Sequence, residues 1–176
     1  YLSAAPEPIK INCEYNYVDV VLSPDPNVFG HSNPLFGLKE GGVFIIQSDL
    51  ETPEEVWRHI PVQYQRFIRE KNIKVHYVDA FKIAREEATD PELQLRMQGN
   101  AFQGAFFKAS SVMASAELTE QTLFEAIRAQ LTKKFGGKGA RVVENNMKVV
   151  RRGFDELKEL PEMEPVRAGN GDLKQP

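Results

Sequence analysis

The stretch YVDVVLS, residues 17–23, sets Val18, Val20, Val21 and Leu22 on both sides of an extended chain. Side chains alternate across a strand, so a run that is apolar at odd and even positions alike has no face to offer to water. Such a strand needs a packed layer on each side. VFIIQS (43–48) reads as a buried strand in the same way, and IKVHYVD (73–79) as another. Tyr1 to Ala5 is predicted to be a strand as well, running into a turn bounded by Pro6 and Pro8.

Helix signals fall between these runs. The prolines of SPDP (23–26) turn the chain out of the sheet, and residues 33–39 are predicted as a short helix stopped by Gly41 and Gly42. Thr52-Pro53-Glu54-Glu55 combines an N-cap, a proline at the first helical position and a glutamate three residues after the cap. It predicts a helix over 53–71 with Val56, Ile60, Tyr64, Phe67 and Ile68 on one side, interrupted at Pro61. Asp79 is placed to cap a helix through DAFKIAREEA. Strands alternating with helices imply an α/β domain, here a three-layer α/β/α arrangement around a largely parallel or mixed sheet.

The second half is helical in pattern. Helices are predicted over 92–114, over 120–135 with Leu123, Phe124, Ile127 and Leu131, and over 139–159. In the last, Val143, Met147, Val150, Phe154 and Leu157 draw one apolar stripe that must pack on something. From Leu160 the chain is polar, aperiodic and contains proline and glycine, which reads as a linker. The expected organisation is one domain over 1–160 and a flexible tail over 161–176. With no initial methionine and a linker-like end, the sequence reads as a piece of a longer polypeptide.

Composition excludes several classes. A net charge of -3 over 176 residues leaves no electrostatic footprint for nucleic acid. No apolar run approaches the roughly 18 residues of a membrane-spanning helix. The single cysteine, Cys13, excludes an internal disulfide, a cysteine-only zinc site and a self-contained iron–sulfur cluster, and it fits a reducing cytoplasm.

Few residues announce chemistry. FGGKGARVVE (135–144) has the glycines of a phosphate loop but lacks the Lys-Ser/Thr pair and follows a helix, so a helix stop and restart explains it better. His31, His59 and His76 show no metal-ligand spacing, and His76 reads as a satisfied sheet histidine. His31 lies in a loop with Asp25, Asn27, Ser32 and Asn33 after a strand end, where open α/β sheets bind ligands. Ser48-Asp49 follows another strand end without an activating neighbour. Lys133, Lys134, Lys138 and Arg141 form a basic cluster that can meet an anion, although a helix carboxyl end also favours the first two.

Residues 103–115, QGAFFKASSVMAS, combine small residues with aromatic ones. Gly99, Ala101, Gly104, Ala105, Ala109 and Ser110 keep one helix face thin enough for another backbone to approach, and Phe102 and Phe106 are assigned to the core. Asn100 and Gln103 are explained either by that packing or by a ligand or partner they face.

QGAFFKAS resembles the QTAFFKLS-type segment in the gamma domain of pyruvate:ferredoxin oxidoreductases, the 2-oxoacid:acceptor oxidoreductase family. YLSAAPEPI, VDVVLSPDPNVFG, LFGLKEGGVFIIQSD, VWRHIPVQYQRFIREKNIKVHYVDAFKIAR and KKFGGKGARVVENNMKVV are similar to family segments in the same order, from residue 1 to about 159. Some features depart from the pattern. The family's amino-terminal glycine-rich loop is absent, Asp25-Pro26 stands for its Asn-Pro, SDLETPEEVW is longer, and Asn100 is shifted by one position relative to Gln103.

The resemblance implies a role within an assembled enzyme that oxidises a 2-oxoacid with coenzyme A and passes electrons to ferredoxin or flavodoxin. It implies thiamine diphosphate with Mg2+, 4Fe–4S clusters and coenzyme A in that assembly, held by thiamine-binding alpha and beta partners and an iron–sulfur delta partner. It also implies that the gamma domain packs on the thiamine-binding domains and helps shape coenzyme A access. No catalytic or metal-ligating residue and no bound cofactor are expected in these residues, and neither nucleic acid nor membrane is an expected partner. The candidates for contact with a ligand or partner domain are His31, Asn100, Gln103 and Gly104. The alternatives are a free-standing α/β nucleotide- or coenzyme A-binding domain and a pure interaction scaffold.

Overall fold

A computed structural model describes residues 17–88 and 91–166. The predicted strand at Tyr1–Ala5, Cys13 and the tail beyond 166 lie outside them.

Three parallel strands form the sheet: β1 (Val18–Ser23), β2 (Leu38–Gln47) and β3 (Lys74–Val78). A two-residue strand, β4 (Lys158–Glu159), joins β3 antiparallel, giving the order β1-β2-β3-β4. Helices α1 (Pro53–His59) and α2 (Val62–Glu70) connect β2 to β3. After β3 come α3 (Ala80–Glu87), α4 (Pro91–Ala109), the single-turn α5 (Val112–Ser115), α6 (Glu120–Phe135) and α7 (Ala140–Asp155).

Both faces of β2 are buried, as its composition requires. Phe44 and Ile46 meet Val56, Trp57, Ile60 and Ile68 of α1 and α2 on one side. Val43 and Ile45 meet Ile83 of α3, Ala101, Phe102 and Ala105 of α4, and Val149 of α7 on the other. The protein is a three-layer α/β/α sandwich, with α6 added outside α7 through Leu123, Ile127, Leu131, Val143, Met147, Val150 and Phe154. The stripe on α7 therefore packs against α6, while its opposite flank closes the sheet layer.

The predicted helix over 53–71 breaks at Pro61. Thr52 closes a reciprocal capping box with Glu55 at the start of α1. At the break, the Gln65 side-chain amide donates to the carbonyls of Trp57 and Ile60, both at 2.8 Å, and the Trp57 carbonyl also accepts the Ile60 N–H at 3.1 Å, so the side chain bridges the interruption. Gln65 is 1% exposed, and its Oε1 accepts the backbone N–H of Val166 at 2.8 Å.

Five expectations are corrected. Residues 34–37 make a turn and Leu38 and Lys39 already belong to β2, so there is no helix over 33–39, and a 3-10 turn forms earlier, at Val28–Gly30. The helix over 92–114 ends at Ala109 and restarts as α5, and that over 139–159 ends at Asp155. Phe106 is only half-buried, whereas Phe102 is in the core. Residues 158–166 form a strap instead of a linker: β4 pairs with β3, Leu160 is buried, and Met163 packs on the α1–α2 side of the core. The Trp57 indole N–H donates to the Glu164 carbonyl at 2.9 Å, and Arg69 pairs with Glu162 and Glu164.

Candidate functional site

α4 and α7 cross at unusually short range because each contributes a glycine. A Cβ on Gly104 would lie 2.0 Å from the Val150 carbonyl oxygen, and one on Gly153 would lie 2.0 Å from that of Ala101. Real Cβ contacts do not approach so closely, so both positions require glycine. Beside this contact, Asn100 donates to Asn146 Oδ1 at 2.5 Å, and Asn146 donates to the Val142 carbonyl at 2.7 Å. Two of the four contact candidates, Asn100 and Gly104, thus serve the helix crossing. Gln103 lies half-buried on the flank of α4.

His31 sits elsewhere, beyond the carboxyl end of β1. Its Nε2 is 2.5 Å from Asp25 Oδ2, and both side chains are exposed. The Asn27 backbone N–H at 2.8 Å and the His31 ring hold the Asp25 carboxyl below the usual carboxylate range. His31 and the α4 candidates therefore form no common site.

Two concave surfaces lie where an open α/β sheet places its ligands, outside the carboxyl ends of the parallel strands, and a third, of about 370 Å³, lies away from them between Trp57, Ile68, Ile73 and the 159–163 segment. A cavity of about 270 Å³ opens between the 25–29 loop and α1, with Phe29, Ile46, Val56 and Ile60 beneath a rim of Asn27 and His59. A wider groove of about 660 Å³ lies towards β3 and the end of α7, with Asp49, Asp79, Lys82 and Lys158 along it. The two share Ser48, Asp49 and Leu50. Local structure fixes the groove between them. Gln47 donates to Asp79 Oδ1 at 2.9 Å and accepts the Phe81 N–H at 3.3 Å, and Asp79 accepts the Lys82 N–H at 3.0 Å. The end of β2 is thereby tied to the start of α3, and both polar side chains are committed. Ser48 Oγ accepts the Leu50 N–H.

Away from the crevice, Arg152 joins α3 to α7 through Glu86, Glu87 and Glu156 at 2.7, 3.1 and 2.5 Å. His76, in mid-strand, is buried, and burial lowers its pKa. The segment 135–144 is a helix end, a 3-10 turn at Gly136–Lys138 and a restart at Gly139 with φ 102°, a left-handed conformation suited to glycine. Sequence reasoning missed Gln47, Gln65 and Arg152. Only the position of Gln47, at a strand end just before a capping aspartate's helix, carries a usable signal.

The residues can be tested against the groups expected in the assembly. A 4Fe–4S cluster takes four thiolates, and the sequence has one cysteine, so a cluster does not fit. Among the described residues, no three His, Cys, Asp or Glu side chains gather as a metal site.

The fold and its crevice define a layered α/β domain with Gln47 and Asp79 committed to the groove's structure. The chain belongs to the pyruvate ferredoxin/flavodoxin oxidoreductase family, whose description matches residues 1–156. It is 28% identical over 160 residues to the pyruvate:ferredoxin oxidoreductase of Moorella thermoacetica, covering 91% of this chain and 13% of that protein. It is 30% identical over 135 residues to the common subunit gamma of the pyruvate/ketoisovalerate oxidoreductases of Thermococcus litoralis, covering 77% of this chain and 64% of that subunit. Among solved structures, the pyruvate oxidoreductase subunit PORC from Thermotoga maritima matches with a TM-score of 0.54 at 23% identity, over 82% of this chain and 66% of that one. That likeness confirms the fold. No helix among the described residues is long and apolar enough to cross a membrane.

Proposed function

We propose that this chain is the gamma-type domain of a thiamine-diphosphate-dependent 2-oxoacid oxidoreductase whose 2-oxoacid is pyruvate. The parent enzyme turns the 2-oxoacid and coenzyme A into acyl-CoA and CO2, and its two electrons leave through iron–sulfur clusters to ferredoxin or flavodoxin. This piece serves assembly: it packs against the thiamine-binding alpha and beta domains and helps shape the path of coenzyme A, while the delta domain holds the clusters. His31 and Gln103 are the contact residues, and the compartment is the cytoplasm.

The carrying observation is the match to a subunit named gamma in Thermococcus litoralis over 77% of this chain, in a sequence whose one cysteine leaves cluster ligation to other domains. The purified chain should not reduce ferredoxin with pyruvate, coenzyme A and thiamine diphosphate. It should co-purify with co-expressed alpha, beta and delta components of its parent enzyme, which then do so. Turnover by the chain alone, or failure to co-purify, overturns the assembly role. The strand-end cavity and groove favour one other reading, a free-standing nucleotide- or coenzyme A-binding domain. Calorimetry separates the two, because tight binding of coenzyme A or ATP by the chain alone supports the second reading.

A further inference from the structure

The strap does not lie flat on the layer it crosses. A cavity of about 370 Å³ separates residues 159–163 from α2 and the start of β3. Its walls are apolar, with Trp57, Ile68, Ile73 and Val75 on the core side and Leu160 and Met163 on the strap side. All of these but Met163 are buried. The volume falls within the roughly 300–1,000 Å³ of small-molecule sites, which combine apolar walls with a few polar groups that fix orientation.

The polar group here is Arg69, in the last turn of α2 and lining the same cavity. Its side chain is 34% exposed, whereas its partners Glu162 and Glu164 are 89% and 85% exposed. Carboxylates so exposed are solvated whether paired or not, and such pairs contribute little. The guanidinium is therefore the anchored charge. It is also incompletely matched. One terminal nitrogen donates to Glu162 at 3.1 Å and the other to Glu164 at 3.2 Å, so neither glutamate makes the two-point contact for which a guanidinium is shaped. Lys74 and Glu159, also in the lining, offset each other in charge. We propose that this cavity binds a small carboxylate with an apolar body. The body lies against Trp57, Ile68 and Leu160, and the carboxylate takes both terminal nitrogens of Arg69, releasing Glu162 and Glu164 to water. Binding thus fills the space beneath the strap while undoing its ion pairs. The site sits near the amino end of β3, away from the strand-end crevice, and does not depend on the proposed function.

Trp57 is the only tryptophan in the sequence, so its emission and its indole N–H resonance report on the cavity in the intact 176-residue chain. Titration with hexanoate should move both along one saturating curve. Hexanol and hexylamine share the apolar body and should bind at least about tenfold more weakly. Arg69→Gln should reduce hexanoate to the level of hexanol. The double variant Glu162→Gln/Glu164→Gln keeps the guanidinium and removes its present partners, so it should bind hexanoate at least about threefold more tightly than the parent chain. No saturation up to about 10 mM hexanoate, equal binding of hexanol or hexylamine, or a preference for hexanoate that survives Arg69→Gln overturns the proposal. So does a double variant that binds hexanoate no more tightly than the parent, and that result decides the matter should Arg69→Gln fail to fold.

Discussion

Gly104 and Gly153 show how one missing atom sets a helix crossing. Each lies where a Cβ would enter the facing backbone, and backbone cannot swing aside as a side chain can. Gly104→Ala and Gly153→Ala should each destabilise the chain by about 3 kcal/mol, read as a shifted urea midpoint. Gly99, on the same helix, faces open space, so Gly99→Ala should stabilise by about 0.5–1 kcal/mol. Three glycine-to-alanine changes that behaved alike would contradict the crossing. The thin helix face was legible in the small residues around 99–110. Which glycine met the neighbour was not, because that depends on the register of a helix some fifty residues away. His76 is a second case at this scale. Burial favours its neutral form, so its folded pKa lies below the ordinary value of about 6.5. The unfolded state then takes up a proton first as pH falls. The stability linked to His76 is complete above about 6.5 and is lost as pH drops from there towards the folded pKa. Urea titrations at pH 7.5 and 5.5 should show a smaller acid-side loss in His76→Gln than in the parent chain.

Among the elements, the α1–α2 joint was half written in the sequence. Thr52, Pro53, Glu55 and Pro61 state where a helix starts and where it cannot continue, because capping and the proline ring act locally. Gln65 says nothing by itself, since a glutamine in an amphipathic helix usually faces water. Only the strap's return across α1 and α2 makes it a buried, fully bonded bridge. Gln65→Ala leaves two carbonyls and the Val166 N–H without that partner and should cost about 3 kcal/mol in chemical denaturation. A loss under about 0.5 kcal/mol would mean that solvent replaces the bridge. The strap itself was read as linker because its prolines and glutamates are aperiodic. Its hold on the core comes from Leu160, Met163 and backbone groups, which composition does not display.

On the scale of the whole molecule, the alternating strands and helices made the layered architecture legible, and ordered segment likeness made the family legible. The crevice was legible only as a place, because its lining comes from loops whose closure no local pattern encodes. For the same reason the packing of Asn100 and Gly104 against α7 is a pairing that only the folded chain reveals. Deleting residues 158–166 should lower stability by about 3 kcal/mol through the burial of Leu160 alone and its accompanying hydrogen bonds. Trp57 fluorescence should shift to the red in the native state, since removing the strap opens its buried indole, and the N–H that meets the Glu164 carbonyl, to water. The strap also gives the domain a direction under load. Tension drawn from Val166 meets its fastenings one after another: the Gln65 amide first, then the Trp57 indole and the Arg69 ion pairs, and finally the short β4 ladder on β3. A domain fastened in series peels like a zip at low force, and its sheet feels the pull only after the last tooth has opened.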